Sequence, residues 1–247
     1  MNRSESAIEL YLLGGVELRG IEPSAADHLL AQAKLTGLLA FLALSPAQRP
    51  QRRDRIIGLL WPELDQSRAR AALRKALHAL RAAMGADAIR TRGDEEIGLA
   101  MPPVWCDAVE LAGAAEAGRM LRAVELYRGE LMPGFFLGNC LEFERWLEEE
   151  RAAARERAAA AAWGLARTLE SNDNLTDAGR MARRAARYSW DDERVLRRTI
   201  TMLARIGDHA GALRLYDEFA ERMRRELDAN PSPETVALVD GLRPSTR

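Results

Sequence analysis

The chain has 247 residues, with 36 Lys and Arg against 37 Asp and Glu and 47% apolar residues. Apolar content this high with a net charge of −1 excludes intrinsic disorder, and the longest apolar stretch, Leu35 to Leu44, is too short to span a bilayer. Arg3, Glu5 and Glu9 interrupt the first residues, so no secretory signal is expected, and two cysteines, Cys106 and Cys140, cannot build a disulfide framework. A cytoplasmic protein in a reducing compartment is expected.

Ile8-Glu9-Leu10-Tyr11-Leu12 alternates apolar and polar residues, the mark of a half-buried strand. After Gly14-Gly15 the alternation resumes at Val16-Glu17-Leu18, which predicts a small antiparallel sheet. A loop carrying Pro23 follows, then a helix from Leu29 to Leu44 that buries Leu35, Leu38, Leu39 and Leu42 and ends before Pro46. Arg53 to Trp61 reads as a short helix stopped by Pro62. Gln66 to Met84 reads as a long one, with Asp65 or Ser67 as its cap and Gly85 as its terminator. Ile89–Arg92, the Gly93-Asp94 turn and Ile97–Leu99 then predict a hairpin.

Pro102-Pro103 reads as a linker between a domain at 1–103 and an all-helical domain at 104–247. Asp177-Ala178 through Arg180-Met181 matches Gly211-Ala212 through Arg214-Leu215 at a separation of 34 residues. That is the period of tetratricopeptide helix pairs, in which small residues such as Ala178 and Ala212 let helices approach closely; a generic antiparallel bundle is the alternative. The fold class is mainly α with a small β component.

Charge is unevenly spread. Between Arg49 and Arg92 lie 11 basic residues and four acids, on a chain otherwise acidic. Such an island is the electrostatic footprint of nucleic-acid binding, although a solvated surface has the same composition. The Gln66–Met84 helix carries an apolar stripe at Ala69, Leu73, Ala76, Leu77, Leu80 and Met84. Opposite lie Ser67, Ala71, Arg74, Lys75 and His78, with Arg70 and Arg81 on the flanks. A helix fits a DNA major groove about 12 Å wide, and Arg74 can donate bidentately to guanine O6 and N7. His78 reaches a base or a phosphate, and Arg70 and Arg81 suit phosphate contacts that set register. Short helix, acidic turn at Glu63–Asp65, basic helix and hairpin is the winged helix-turn-helix order.

The runs Lys34–Leu44, Arg55–Pro62 and Arg68–Leu77, followed by Leu80-Arg81 and Gly85, resemble the DNA-binding domain of the Streptomyces antibiotic regulatory protein family. Leu126–Phe135, Glu142–Arg151, Glu226-Leu227 and Asn230–Thr235 are similar to the bacterial transcriptional activator domain that follows it in that family. The resemblance implies an OmpR-type winged helix, tetratricopeptide-like helices, and a transcription activator. It would bind repeated promoter sites in double-stranded DNA, usually as a homodimer, and recruit RNA polymerase holoenzyme. Carried over by position, Arg70, Arg74, Lys75 and His78 lie on the reading face and Arg90 and Arg92 begin the wing; Ser67, Arg68, Ala71 and Arg81 complete the expected DNA-binding set. The sequence departs from the family at Ala71, where relatives often have Asn, and at the wing turn, where Asp94, Glu95 and Glu96 should be repelled by phosphate.

Enzyme chemistry is not expected. His28, His78 and His209 have no metal-ligand spacing, and Cys106 and Cys140 read as buried small apolar residues. With only Lys34 and Lys75 as lysines, no GxxxxGK phosphate loop exists, and no G-x-S-x-G elbow appears. No metal and no cofactor is expected. Trp61, Trp146, Trp163 and Trp190 read as packing residues. The rival expectation is a protein-interaction adaptor whose winged helix has lost DNA affinity.

Overall fold

Strand β1 (Ile8–Tyr11) turns through Gly14 and Gly15 into β2 (Glu17–Arg19), antiparallel, with Leu10 opposite Leu18, as the alternation predicts. The single helix expected from Leu29 to Leu44 is instead two. The Glu22 carboxylate accepts the Ala25 N–H at 2.9 Å and caps α1 (Pro23–Leu30). Gln32 then adopts an extended backbone and begins α2 (Ala33–Ala43). Pro23, read as a loop marker, is a helix-start residue, because its missing N–H is one that a first turn leaves unpaired. The break separates a helix buried on one side, at Ala26 and Leu29, from one buried all round between Leu35 and Ala43.

The computed structural model describes residues 8–45, 49–101 and 103–243; the expected helix stop Pro46 and the linker residue Pro102 lie outside them. Strand β3 (Gln51–Arg52), which no sequence pattern signals, leads into α3 (Arg53–Leu60). Helix α4 (Gln66–Met84) has the expected bounds. Strands β4 (Ile89–Arg92) and β5 (Glu96–Leu99) form the expected hairpin, with Ile89 opposite Leu99. Where a linker into a strand-free half is expected, β6 (Val104–Cys106) pairs in parallel with β1, Ile8 opposite Val104. All three residues of β6 are buried, so it has no alternation to read. Helices α5 (Asp107–Glu116), α6 (Met120–Leu126) and α7 (Leu141–Ser171) follow.

The described residues gather into two units. The first falls within Met1–Gly113 and Glu125–Ala154. Its two sheets have strand orders β2-β1-β6 and β3-β5-β4. Asp107, buried, closes the first sheet: its carboxylate accepts the Leu12 N–H at 2.8 Å and the Leu13 N–H at 3.1 Å, with Arg128 Nη2 3.4 Å away. Burial pushes the Asp107 carboxyl up, against the pull of those N–H groups and of Arg128. The Cys106 thiol beside it is pushed up to about 12 by burial and by Asp107.

Residues 125–154 of this unit pack on α2. A Cβ at Gly37 would come within 3.0 Å of Leu137 and 3.2 Å of Phe143, so glycine is what lets this segment lie on the helix. Phe41 meets Trp146 edge-to-face at 5.1 Å. Lys34 Nζ donates to the Leu60 carbonyl at the end of α3 and lies 3.3 Å from Glu63 and 3.0 Å from Cys140 Sγ. Both cysteines are free and buried, as small apolar residues should be. Trp61 is buried too, and Trp146 is half-buried.

The second unit falls within Ala114–Val124 and Arg155–Arg247. Its helices α8 (Leu175–Tyr188), α9 (Glu193–Arg205), α10 (His209–Leu227) and α11 (Pro233–Asp240) each begin on a capping side chain: Asn174, Asp192, Asp208 and Ser232. Two of those caps, Asn174 and Asp208, stand 34 positions apart, so the repeat extends to the residue that starts each helix. Ala178 and Ala212 are both fully buried, and Met181 and Leu215 follow them into the interior. Leu196, Ile200 and Leu203 of α9 pack with Ala212, Leu215 and Phe219 of α10 and Val239 of α11. Trp163 and Trp190 are half-buried, and the Arg222 guanidinium stacks 3.9 Å from the Trp190 ring centroid.

Candidate nucleic-acid interface

Helix α4 begins where the Asp65 carboxylate accepts the Arg68 N–H at 2.9 Å, and it ends at Gly85, whose φ of +90° a residue with a Cβ rarely adopts. Between these stops Ala69, Leu73, Ala76, Leu77, Leu80 and Met84 are all buried. Full burial of each leucine contributes roughly 1.5–3 kcal/mol, so the apolar stripe fixes which way the opposite side faces. Ser67, Arg68, Arg70, Ala71, Arg74, Lys75 and His78 are all exposed; Arg81, on the flank, is half-buried. Arg90 and Arg92 are exposed on β4 and, two residues apart, share one face of the hairpin.

These residues are not all free cations. Arg68 Nε lies 3.2 Å from the Asp65 carboxylate, and Arg70 Nη2 lies 3.7 Å from Asp54 Oδ1 of α3. Arg92 pairs with Glu96 at 3.8 Å across the hairpin. Exposed pairs such as these contribute about 0–1 kcal/mol and exchange readily for another anion.

The fold places three segments around one groove of about 330 Å³: the start of α3, the first half of α4, and the wing turn. Arg52, Arg53, Arg70 and Arg74 line it, together with Asp54, Asp94 and Glu95. Arg52, Arg53 and Asp54 are the residues that sequence reasoning missed. The signal was the arginine run Arg49–Arg55 inside the basic island, but only the approach of α3 to α4 and the turn gives those side chains a common site. The Arg53 N–H donates to the Glu95 carbonyl at 2.8 Å, which fastens the wing turn to α3. Arg52 Nη2 lies 3.6 Å from the Glu95 carboxylate. The acids of the wing, expected to repel phosphate, thus sit against arginines: Glu95 against Arg52 and Glu96 against Arg92.

Among the described residues no group of three or more His, Cys, Asp or Glu could hold a metal ion, and no helix is long and apolar enough to cross a membrane.

Residues 107–243 match the family model of the bacterial transcriptional activator domain. No curated protein matches the chain. Among solved structures the chain is similar to Mycobacterium tuberculosis EmbR, determined in complex with a low affinity phosphopeptide. The TM-score is 0.54 at 19% identity, over 96% of this chain and 65% of that one. The chain therefore spans slightly less than two thirds of EmbR. Together the two matches describe an architecture like that of the Streptomyces antibiotic regulatory proteins. A winged helix-turn-helix with a small β component precedes tetratricopeptide-like helices.

Proposed function

Because the chain belongs to the family defined by the bacterial transcriptional activator domain, we propose that it is a sequence-specific DNA-binding transcriptional regulator, acting in the cytoplasm on the nucleoid. In this reading residues 1–103 bind promoter DNA and residues 104–247 form the activator domain. Helix α4 enters the major groove: Arg74, Lys75 and His78 face the base edges, and Ser67 and Ala71 keep the backbone close. Arg68, Arg70, Arg81, Arg90 and Arg92 hold phosphates. Binding to repeated promoter sites as a homodimer and recruitment of RNA polymerase holoenzyme complete the proposal.

One observation carries it. The apolar stripe of α4 is wholly buried while Arg70, Arg74, Lys75 and His78 on the other sides remain exposed. A helix so anchored presents cations with fixed spacing to a partner whose charges are also fixed in spacing.

Footprinting on the DNA upstream of the chain's own gene tests the proposal. Protected half-sites separated by about 10–10.5 base pairs, or a multiple, support a groove-reading helix in a repeated arrangement. Protection no better than on random duplex overturns it. That second result favours an adaptor that binds protein partners, the reading to which Asp54, Asp94 and Glu95 in the groove lend weight.

A further inference from the structure

A second concentration of arginine lies in the helical-repeat unit and has no part in the proposal above. Arg180, Arg183, Arg184 and Arg187 of α8 fall at i, i+3, i+4 and i+7, so they share one side of the helix. With Met181 and Tyr188 they line an open hollow of about 810 Å³.

Two of the four are held in place by the fold. Arg184 Nη2 donates to the Val124 carbonyl at 2.8 Å, and its guanidinium stacks 5.6 Å from the Tyr188 ring centroid. Arg183 pairs with Asp208, the cap of α10. Burial first, and then the nearby charges of Arg214 and Arg187, draw the Arg183 pKa downward. Arg180 and Arg187 are exposed at the rim, with Arg180 reaching Asp177 at 2.7 Å. The two acids present, Asp177 and Asp208, are fewer than the four arginines of the cluster.

We infer that this hollow on α8 is a docking site for an acidic peptide segment of a partner protein. Planar guanidinium groups match carboxylates bidentately, and an arginine cluster is the recurrent receptor for acidic motifs. From Thr176 to Tyr188 the helix rises about 18 Å, room for roughly five residues of extended chain. Met181 and Tyr188 add an apolar floor that a side chain of such a peptide can cover. A DNA duplex is convex and offers only phosphates along its backbone, so it would leave the hollow and its floor unfilled. Arginine also pairs with phosphate, so ATP and random duplex DNA enter the test as controls.

The test uses the full chain and a fluorescent peptide of alternating Glu and Asp around one central Phe, with binding read by anisotropy at about 50 mM salt. The expected result is saturable binding that falls about tenfold or more in the R180E/R187E double variant, with no binding of the same peptide carrying Gln and Asn in place of Glu and Asp. Both positions are exposed, and an unchanged melting temperature verifies that the double variant folds. Arg74→Ala should leave peptide binding untouched, which separates this site from the α4 face. Equal binding of the acidic peptide to parent and double variant, or none to either, overturns the inference. So does a result in which the double variant loses affinity for random duplex DNA or for ATP while peptide binding is unchanged.

Discussion

Asp54 of α3 holds its carboxylate 3.7 Å from the Arg70 guanidinium of α4, so an arginine proposed to grip phosphate already faces an anion inside the protein. Binding DNA would exchange one anion for another, and the intramolecular pair would set how much Arg70 gains. Asp54→Asn should therefore raise affinity for any duplex a few-fold and steepen the log–log salt dependence by up to about one. Both groups are more than half exposed, so stability should hardly change. Binding isotherms at several salt concentrations for parent and variant, on cognate and random duplex, measure this. An affinity unchanged on both sequences would mean that Arg70 does not meet phosphate.

Arg74, one turn beyond Arg70, has a different expected signature. Arg74→Ala should cost about 1–3 kcal/mol on the cognate site and relax discrimination at one base position. Arg70→Ala should weaken all sequences about equally. Competition binding against a set of single-base variants of the site distinguishes the two patterns.

Leu77 lies at the centre of the buried stripe and is 2% exposed. Leu77→Ala should destabilise the chain by about 2–5 kcal/mol, since a cavity left at a fully packed position collapses only in part. Urea unfolding followed by circular dichroism checks this. The variant should lose DNA affinity and helical stability together, whereas Arg74→Ala should lose only the first.

Glu193 links α9 to α11. Its carboxylate accepts the Ser232 N–H at 3.1 Å, the Ser232 hydroxyl at 2.6 Å and the Thr235 hydroxyl, with Arg197 3.6 Å away. Burial alone would raise its pKa; the hydrogen bonds from Ser232 and Thr235, with Arg197, outweigh burial and hold the carboxyl below its ordinary value of 4.5. A depressed carboxylate contributes stability that is present above the unfolded pKa and lost as pH falls through the folded one. The melting temperature of the parent should thus fall more steeply than that of Glu193→Gln between about pH 5 and pH 3. Parallel curves would show that this carboxylate does not couple α11 to pH.

Helix α4 was legible in the sequence because all its determinants are local: the Asp65 cap, the stripe at helical spacing, and Gly85. The repeat was legible for the same reason, its caps and small residues recurring at Asn174 and Asp208, Ala178 and Ala212. Strand β6 was not, because three buried residues pair with a strand nearly a hundred positions earlier, and nothing near Val104 announces that partner. Glu22 and Pro23 did carry a helix-start signal, which the helix-spaced leucines from Leu29 to Leu44 obscured. Of the candidate site, the exposed side of α4 could be listed from periodicity. Arg52, Arg53 and Asp54 could not, since their membership depends on how α3 and the wing turn close on α4.

In the proposed reading the exposed side of α4 is a surface for ordered phosphates and bases. Titrating the full chain against its own upstream duplex and a shuffled duplex, at salt concentrations from about 50 to 200 mM, tests it most directly. Contacts to about six phosphates predict a log–log slope near −5 on the upstream duplex, with clear preference over the shuffled one. A slope near zero, or equal affinity for both duplexes, would contradict it.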